Sequence, residues 1–347
     1  MNIRHAIAGC SLVLSGGVGA DTQQDFNVAY QAYREAMAGG RYAAALAPAA
    51  QARELGESLY ADDPPRMATL VFNHGFVLGK LKRHDEAYPV LKRARKLMGE
   101  AFGKDAKEML NVGMALLGSA PPGRIRHYME ESLELARMRH DGNGKLMADI
   151  KLQGALRLWG RDATSLLQEA AEGYQAAGDT NGYAVAQFWI GKKHFVRRDY
   201  RKVLEPLSTV IETLPERHRL ALMARAHLVE VHEELGQSDR ATEHCLGIGR
   251  TRPWTGNDDY KPLFKRPPDY PRGELARNRG GMVLLEFTVD EMGFVREPMV
   301  VESKGGKAFH APALEAAKEF RYAPRFVDGK PVAVQQVRNR IVFVTRP

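Results

Sequence analysis

Cysteine is nearly absent. Cys10 and Cys245 are the two in 347 residues, so once an N-terminal segment is removed Cys245 stands alone and no intrachain disulfide can form. Cys245 falls at an inward position of a helical pattern, where a thiol reads as a small buried apolar group. Long apolar runs are lacking too: the stretch 6–18 is shorter and richer in Gly and Ser than the about 20 apolar residues a membrane-spanning helix needs. No Gly-rich loop followed by Lys-Ser or Lys-Thr is present to cradle phosphate. "HEELG", starting at His232, opens like a zinc-protease motif, but Gly236 stands where the second histidine must be. His227 and His232 would not share a helix face well, and other histidines, His194 among them, read as packing or surface residues. No serine sits in a nucleophile elbow, and no dense Lys/Arg run interleaved with aromatics marks a nucleic-acid surface. The expectation is a protein that is not an enzyme, with no catalytic residues, no metal, no cofactor and no nucleic-acid partner.

What is present suits folded protein. Apolar residues make up 44% and charged residues 27%, which does not point to disorder, and the length allows two or three domains. The net charge of +8 is spread along the chain, so it bears on solubility first and on acidic partners second. At the N-terminus, Arg4 and His5 precede the apolar run, and "VGA" ends at Ala20 with small residues where a signal peptidase reads. Three readings stay open for residues 1–20: cleavage near Ala20, an uncleaved weak membrane anchor, and acylation of Cys10 in "IAGC". All three imply export, to the periplasm or to the inner membrane's periplasmic side.

From about Asp25 to Pro253 the pattern is helical and repeats. A turn followed by a helix with a small or apolar residue recurs at Ala45, Ala87, Met129, Val203 and Ala241, with a weaker copy at Ser165. In "VFNHGFVLGKLKRHDEAYPVLKRARKL", Gly75 lies on a first helix and Ala87 and Ala94 on a second, so the pair approaches closely while Leu78 and Leu91 fill the core. Pro215 and Pro253 stand where second helices should stop. Residues 25–253 resemble tetratricopeptide (TPR) repeats, about six helix pairs. That resemblance implies an α-solenoid whose concave face binds a peptide or protein, of unknown identity, or serves as a spacer.

Five prolines between Thr251 and Pro271 break the helical pattern, and residues 254–266 read as a semi-extended linker. The period then becomes two. Val283, Leu285, Phe287 and Val289 share one strand face, Gly293 ends a hairpin turn, and Val295, Met299 and Val301 are expected together on the next strand. Pro298 marks an edge or a bulge. A short helix carries Phe309, Ala313, Ala316, Ala317 and Phe320 on one side. "VDGKPV" reads as a turn, and a last strand runs from Val334. The fold class expected for the chain is α+β and multidomain: the helical solenoid, then a small antiparallel sheet covered by one helix.

Residues 267–347 resemble the C-terminal domain of the TonB family. The resemblance rests on Tyr270-Pro271, Gly281, Val283, Phe287, Val289, Gly293, Val295, Val301, Ser303, Phe309, Ala313, "FRYAP" from Phe320, "DGKPV" from Asp328, and the strand to Phe343. It implies a domain that acts in the periplasm and accepts a short segment of an outer-membrane TonB-dependent transporter by strand addition. The accepting strand would comprise Val334, Gln336, Val337, Arg338, Asn339, Arg340, Ile341 and Phe343. Tyr270 and Pro271 either contact the incoming segment or cap the sheet, and Arg338 and Arg340, on one face, either attract acidic residues or protect an edge from aggregation. The resemblance also implies an inner-membrane motor partner that supplies energy. The short apolar run, the repeats in place of a Pro-rich spacer, and Pro267 where the family has glutamine all depart from it. The alternative is a soluble periplasmic adaptor without energy coupling.

Overall fold

Among the described residues, twelve helices account for the repeating part of the chain. The computed structural model describes residues 20–139, 144–251 and 260–345. Residues 1–19, on which the expected export segment and Cys10 fall, lie outside them, as do Pro253 and residues 254–259 of the expected linker. The chain divides into two units, 1–159 and 160–347. The first holds α1 (Ala20–Ala38), α2 (Tyr42–Leu59), α3 (Pro64–Lys80), α4 (His84–Phe102), α5 (Lys107–Ser119), α6 (Ile125–Arg139) and α7 (Gly144–Arg157). The second opens with α8 (Arg161–Ala176), α9 (Thr180–Val196), α10 (Tyr200–Thr213), α11 (Arg219–Glu234) and α12 (Ser238–Thr251).

Within each unit successive helices pack as hairpins joined by short turns. The α3–α4 pair shows why: a Cβ on Gly75 would come within 2.9 Å of Leu91, so the missing side chain is what lets the leucine seat. In the second unit Gly191 gives Leu207 the same space. Ala45, Ala87, Met129, Val203 and Ala241 are all buried, as the repeat requires. Ser165 is exposed and Ala163 is buried in its place, so the weak copy sits two positions earlier than its sequence pattern suggests. Aspartates cap two of the first helices: Asp63 accepts from the Arg66 N–H at 3.1 Å and Asp179 from the Gly182 N–H at 2.9 Å. These are TPR-like helix pairs, and the chain as a whole is α+β.

The second unit closes with the short helix α13 (Arg272–Ala276), β1 (Gly281–Val289), β2 (Val295–Lys304), α14 (His310–Lys318), β3 (Arg325–Val327), β4 (Lys330–Val332) and β5 (Val334–Phe343). The main sheet is antiparallel in the order β2-β1-β5. α14 lies on β1 and β2, and its Ala313, Ala316 and Ala317 join Val283, Leu285, Phe287, Phe309, Phe320, Val337, Ile341 and Phe343 in one core. Two findings differ from the sequence pattern. Met299 and Val301 do not share the inward face with Val295; they are exposed, because β1 and β2 slip register twice, and each bulge flips the side-chain parity. "VDGKPV" is more than a turn: β3 and β4 pair as a small hairpin around Asp328 and Gly329, both with positive φ.

Candidate functional site

β5 is an edge strand among the described residues. Its register with β1 is unbroken from Val337, opposite Phe287, to Phe343, opposite Gly281. Val337, Ile341 and Phe343 point into the core and are buried, so they hold the strand and offer no side chain to a partner. Val334 packs half-buried on the same core. Gln336 sits at a bulge with φ of 56°. Arg338 and Arg340 lie exposed on the opposite face. Arg338 pairs with Glu286 at 2.8 Å; among the described residues Arg340 has no carboxylate partner.

The direction of the β5 backbone follows from a neighbour the sequence pattern did not flag. Lys265 Nζ donates to Asn339 Oδ1 at 2.8 Å and to the Arg340 carbonyl at 3.2 Å. Since β1 fills the other side, Lys265 reaches the strand from its open side. Antiparallel pairs alternate between bonding to the neighbour and facing away, so Arg338, Arg340 and Val342 present backbone N–H and C=O groups outward. Val337, Asn339 and Ile341 direct theirs to β1. Asn339 is further fixed by donating to the Tyr322 hydroxyl at 3.3 Å.

Tyr270 packs beside the end of the sheet. Its ring packs edge-on against Phe309 and Phe343, 6.0 and 5.7 Å between centroids, and its hydroxyl donates to the Arg279 carbonyl at 2.8 Å. Pro271 starts α13, its carbonyl accepting from Glu274 and Leu275. Both fix the chain beside the end of β5.

The other strand edge differs. β2 carries two register irregularities against β1, a positive φ at Glu297 and, next to it, Pro298. Bulges and proline blunt a strand edge against pairing. β5 has one bulge, confined to its first residues.

A buried charge joins the sheet to the helices. Arg321 is 1% exposed. Its guanidinium forms an ion pair with Glu233 of α11, donates to Thr242 Oγ1 at 2.6 Å and the Met292 carbonyl at 3.3 Å, and lies 3.7 Å from the centre of the Phe294 ring. Its backbone bridges Phe264 and Phe294. Leu263 and Phe264 in turn pack on Val229, Ala241 and Cys245 of α11 and α12. Thus Glu233, within the failed zinc-protease motif, serves as a counter-ion for the arginine of "FRYAP". No sequence signal linked them, because they are far apart in the chain and joined only by packing. Burial pushes the Cys245 thiol up to about 12, which keeps it protonated and inert. Among the described residues no three acidic, histidine or cysteine side chains gather to hold a metal, and no helix is long and apolar enough to cross a membrane.

Comparison with known proteins bears on this part of the chain. Residues 266–345 match the family model described as the Gram-negative bacterial TonB protein C-terminal. Protein TonB of Pseudomonas aeruginosa is 35% identical over 82 residues, 24% of each chain. Protein TonB of Vibrio cholerae is 40% identical over 68 residues, 19% of this chain and 27% of that one. The chain thus spans about a quarter of the length of the curated relatives it matches. Among solved structures, a Rap protein complexed with Competence and Sporulation Factor covers 65% of this chain and 69% of its own at 13% identity and a TM-score of 0.47, too low to bear on function. Residues 266–345 are therefore a domain of the TonB C-terminal family, carried behind TPR-like helix pairs.

Proposed function

We propose that this protein binds an extended segment of an outer-membrane transporter by adding it as a strand to β5, on the periplasmic side of the cell envelope. The observation that carries the reading is the asymmetry of the two sheet edges: β2 is bulged and carries a proline, whereas β5 runs regular from Val337 to Phe343. Main-chain hydrogen bonds would supply the affinity, from the outward groups of Arg338, Arg340 and Val342. The side chains of Val337, Ile341 and Phe343 anchor the strand, and Tyr270 and Pro271 brace its end.

Proline substitution tests this directly. Arg340→Pro removes an outward N–H at an edge, where proline is tolerated. It should weaken binding of a transporter-derived peptide at least tenfold while the fold is kept. Ile341→Pro should instead break the β1–β5 ladder and unfold the domain. Unchanged binding by a folded Arg340→Pro protein would end the strand-addition reading.

Energy transduction with an inner-membrane motor is the fuller form of this proposal. A second reading, a periplasmic adaptor without motor coupling, draws on the Arg321–Glu233 pair, which ties the domain to the helices α11 and α12. Retention in the inner membrane through a carbonate wash supports the transducer; release supports the adaptor.

A further inference from the structure

We propose that Lys265 is a specificity residue of the β5 edge, selecting extended segments that carry a carboxylate. The proposal rests on the strand-addition reading. Lys265 donates to two neutral oxygens, Asn339 Oδ1 and the Arg340 carbonyl, and its ammonium lies 5.3 Å from the centre of the Phe320 ring. Among the described residues it has no carboxylate partner, whereas the neighbouring Arg266 is paired with Glu319 and Arg338 with Glu286. Among the described residues, Lys265 and Arg340 are thus cations without a carboxylate partner beside the outward backbone groups of β5. They stand on opposite faces, Lys265 on the side of Asn339 and Arg340 on the solvent side.

This geometry gives Lys265 two states. In the free protein its ammonium occupies an outward acceptor of the edge, in the manner of lysines that keep edge strands from pairing with each other. When a strand is added, the Arg340 carbonyl takes a backbone N–H from the newcomer, and the ammonium is released at the margin of the new strand pair. Side chains of the added strand alternate between faces. A residue placed opposite Asn339 therefore brings its side chain to Lys265, and a carboxylate there gains a charge partner that a neutral side chain does not. Neighbouring burial already disfavours the charged ammonium and draws its pKa down, and a carboxylate would offset that.

Calorimetric titration of the full chain with two end-blocked nine-residue peptides tests it. One contains Thr, Val and Ser, and its twin has a single central Glu. Wild type should prefer the Glu peptide about fivefold at low salt, the upper range for a partly exposed ion pair. Lys265→Met, which keeps the aliphatic stem, should lose that preference and bind the neutral peptide at least as well as wild type; Lys265→Arg should restore the preference. Equal binding of both peptides by wild type, or a preference that survives Lys265→Met, overturns the role of Lys265 and leaves strand addition standing. If wild type binds neither peptide, strand addition fails, and this proposal with it.

Discussion

Removing the counter-ion of a buried arginine is the sharpest perturbation this structure offers. Glu233→Gln keeps shape and leaves Arg321, 1% exposed, with the Thr242 hydroxyl, the Met292 carbonyl and the Phe294 ring but no opposing charge. Breaking a buried pair from one side costs about 3–5 kcal/mol, whereas replacing both partners together costs far less. Cys245 reports the opening of this contact: it is fully buried beside the pair, and burial holds its thiol protonated. In a Cys10→Ser background, Glu233→Gln should speed labelling of Cys245 by a thiol reagent by about two to three and a half orders of magnitude. Glu233→Gln with Arg321→Met should recover most of the protection. Acceleration of less than about fivefold, as for a surface ion pair, would refute the claim that this contact fastens the sheet to the helices.

Two further predictions concern stability. Gly293 has φ of 85°, and a Cβ there would lie 2.1 Å from the Tyr322 carbonyl oxygen, so Gly293→Ala should destabilise the C-terminal domain by more than the about 1 kcal/mol of an ordinary turn glycine, read from urea unfolding followed by domain-specific amide signals. His227 and His244 are each held down to about 4, mainly by burial and then by Lys192 and His232 respectively. Below the ordinary histidine value the unfolded chain takes up protons that the folded chain does not, so stability should fall as pH drops from 7 toward 4. Urea midpoints at pH 7.5 and 5 should differ less in a His227→Gln, His244→Gln protein than in wild type.

Much of this architecture is legible in the residues. Gly75, Ala87, Ala94 and Leu91 announce a close helix pair because small and large side chains must alternate where helices touch. The change from helical period to period two near Gly281 marks the sheet, and Pro298 rightly signals an edge with a bulge. The pattern misleads where backbone irregularity intervenes. Met299 and Val301 look inward by strict alternation, but register slips turn them to solvent. At Ser165 a repeat written without a strong small residue hides its own register. Lys265 and the Glu233–Arg321 pair had no local signature at all. Their roles come from segments that meet only in the folded chain, and a lysine or glutamate on a surface pattern reads the same whatever it touches.

Amide hydrogen exchange along β5, with and without a transporter-derived peptide, tests the central claim most directly. Strand addition predicts that the amides of Arg338, Arg340 and Val342 exchange fast in the free protein and slow on binding, while Val337, Asn339 and Ile341, bonded to β1, are slow in both states. Protection appearing on β2 instead, or no change on β5 under saturating peptide, would contradict it.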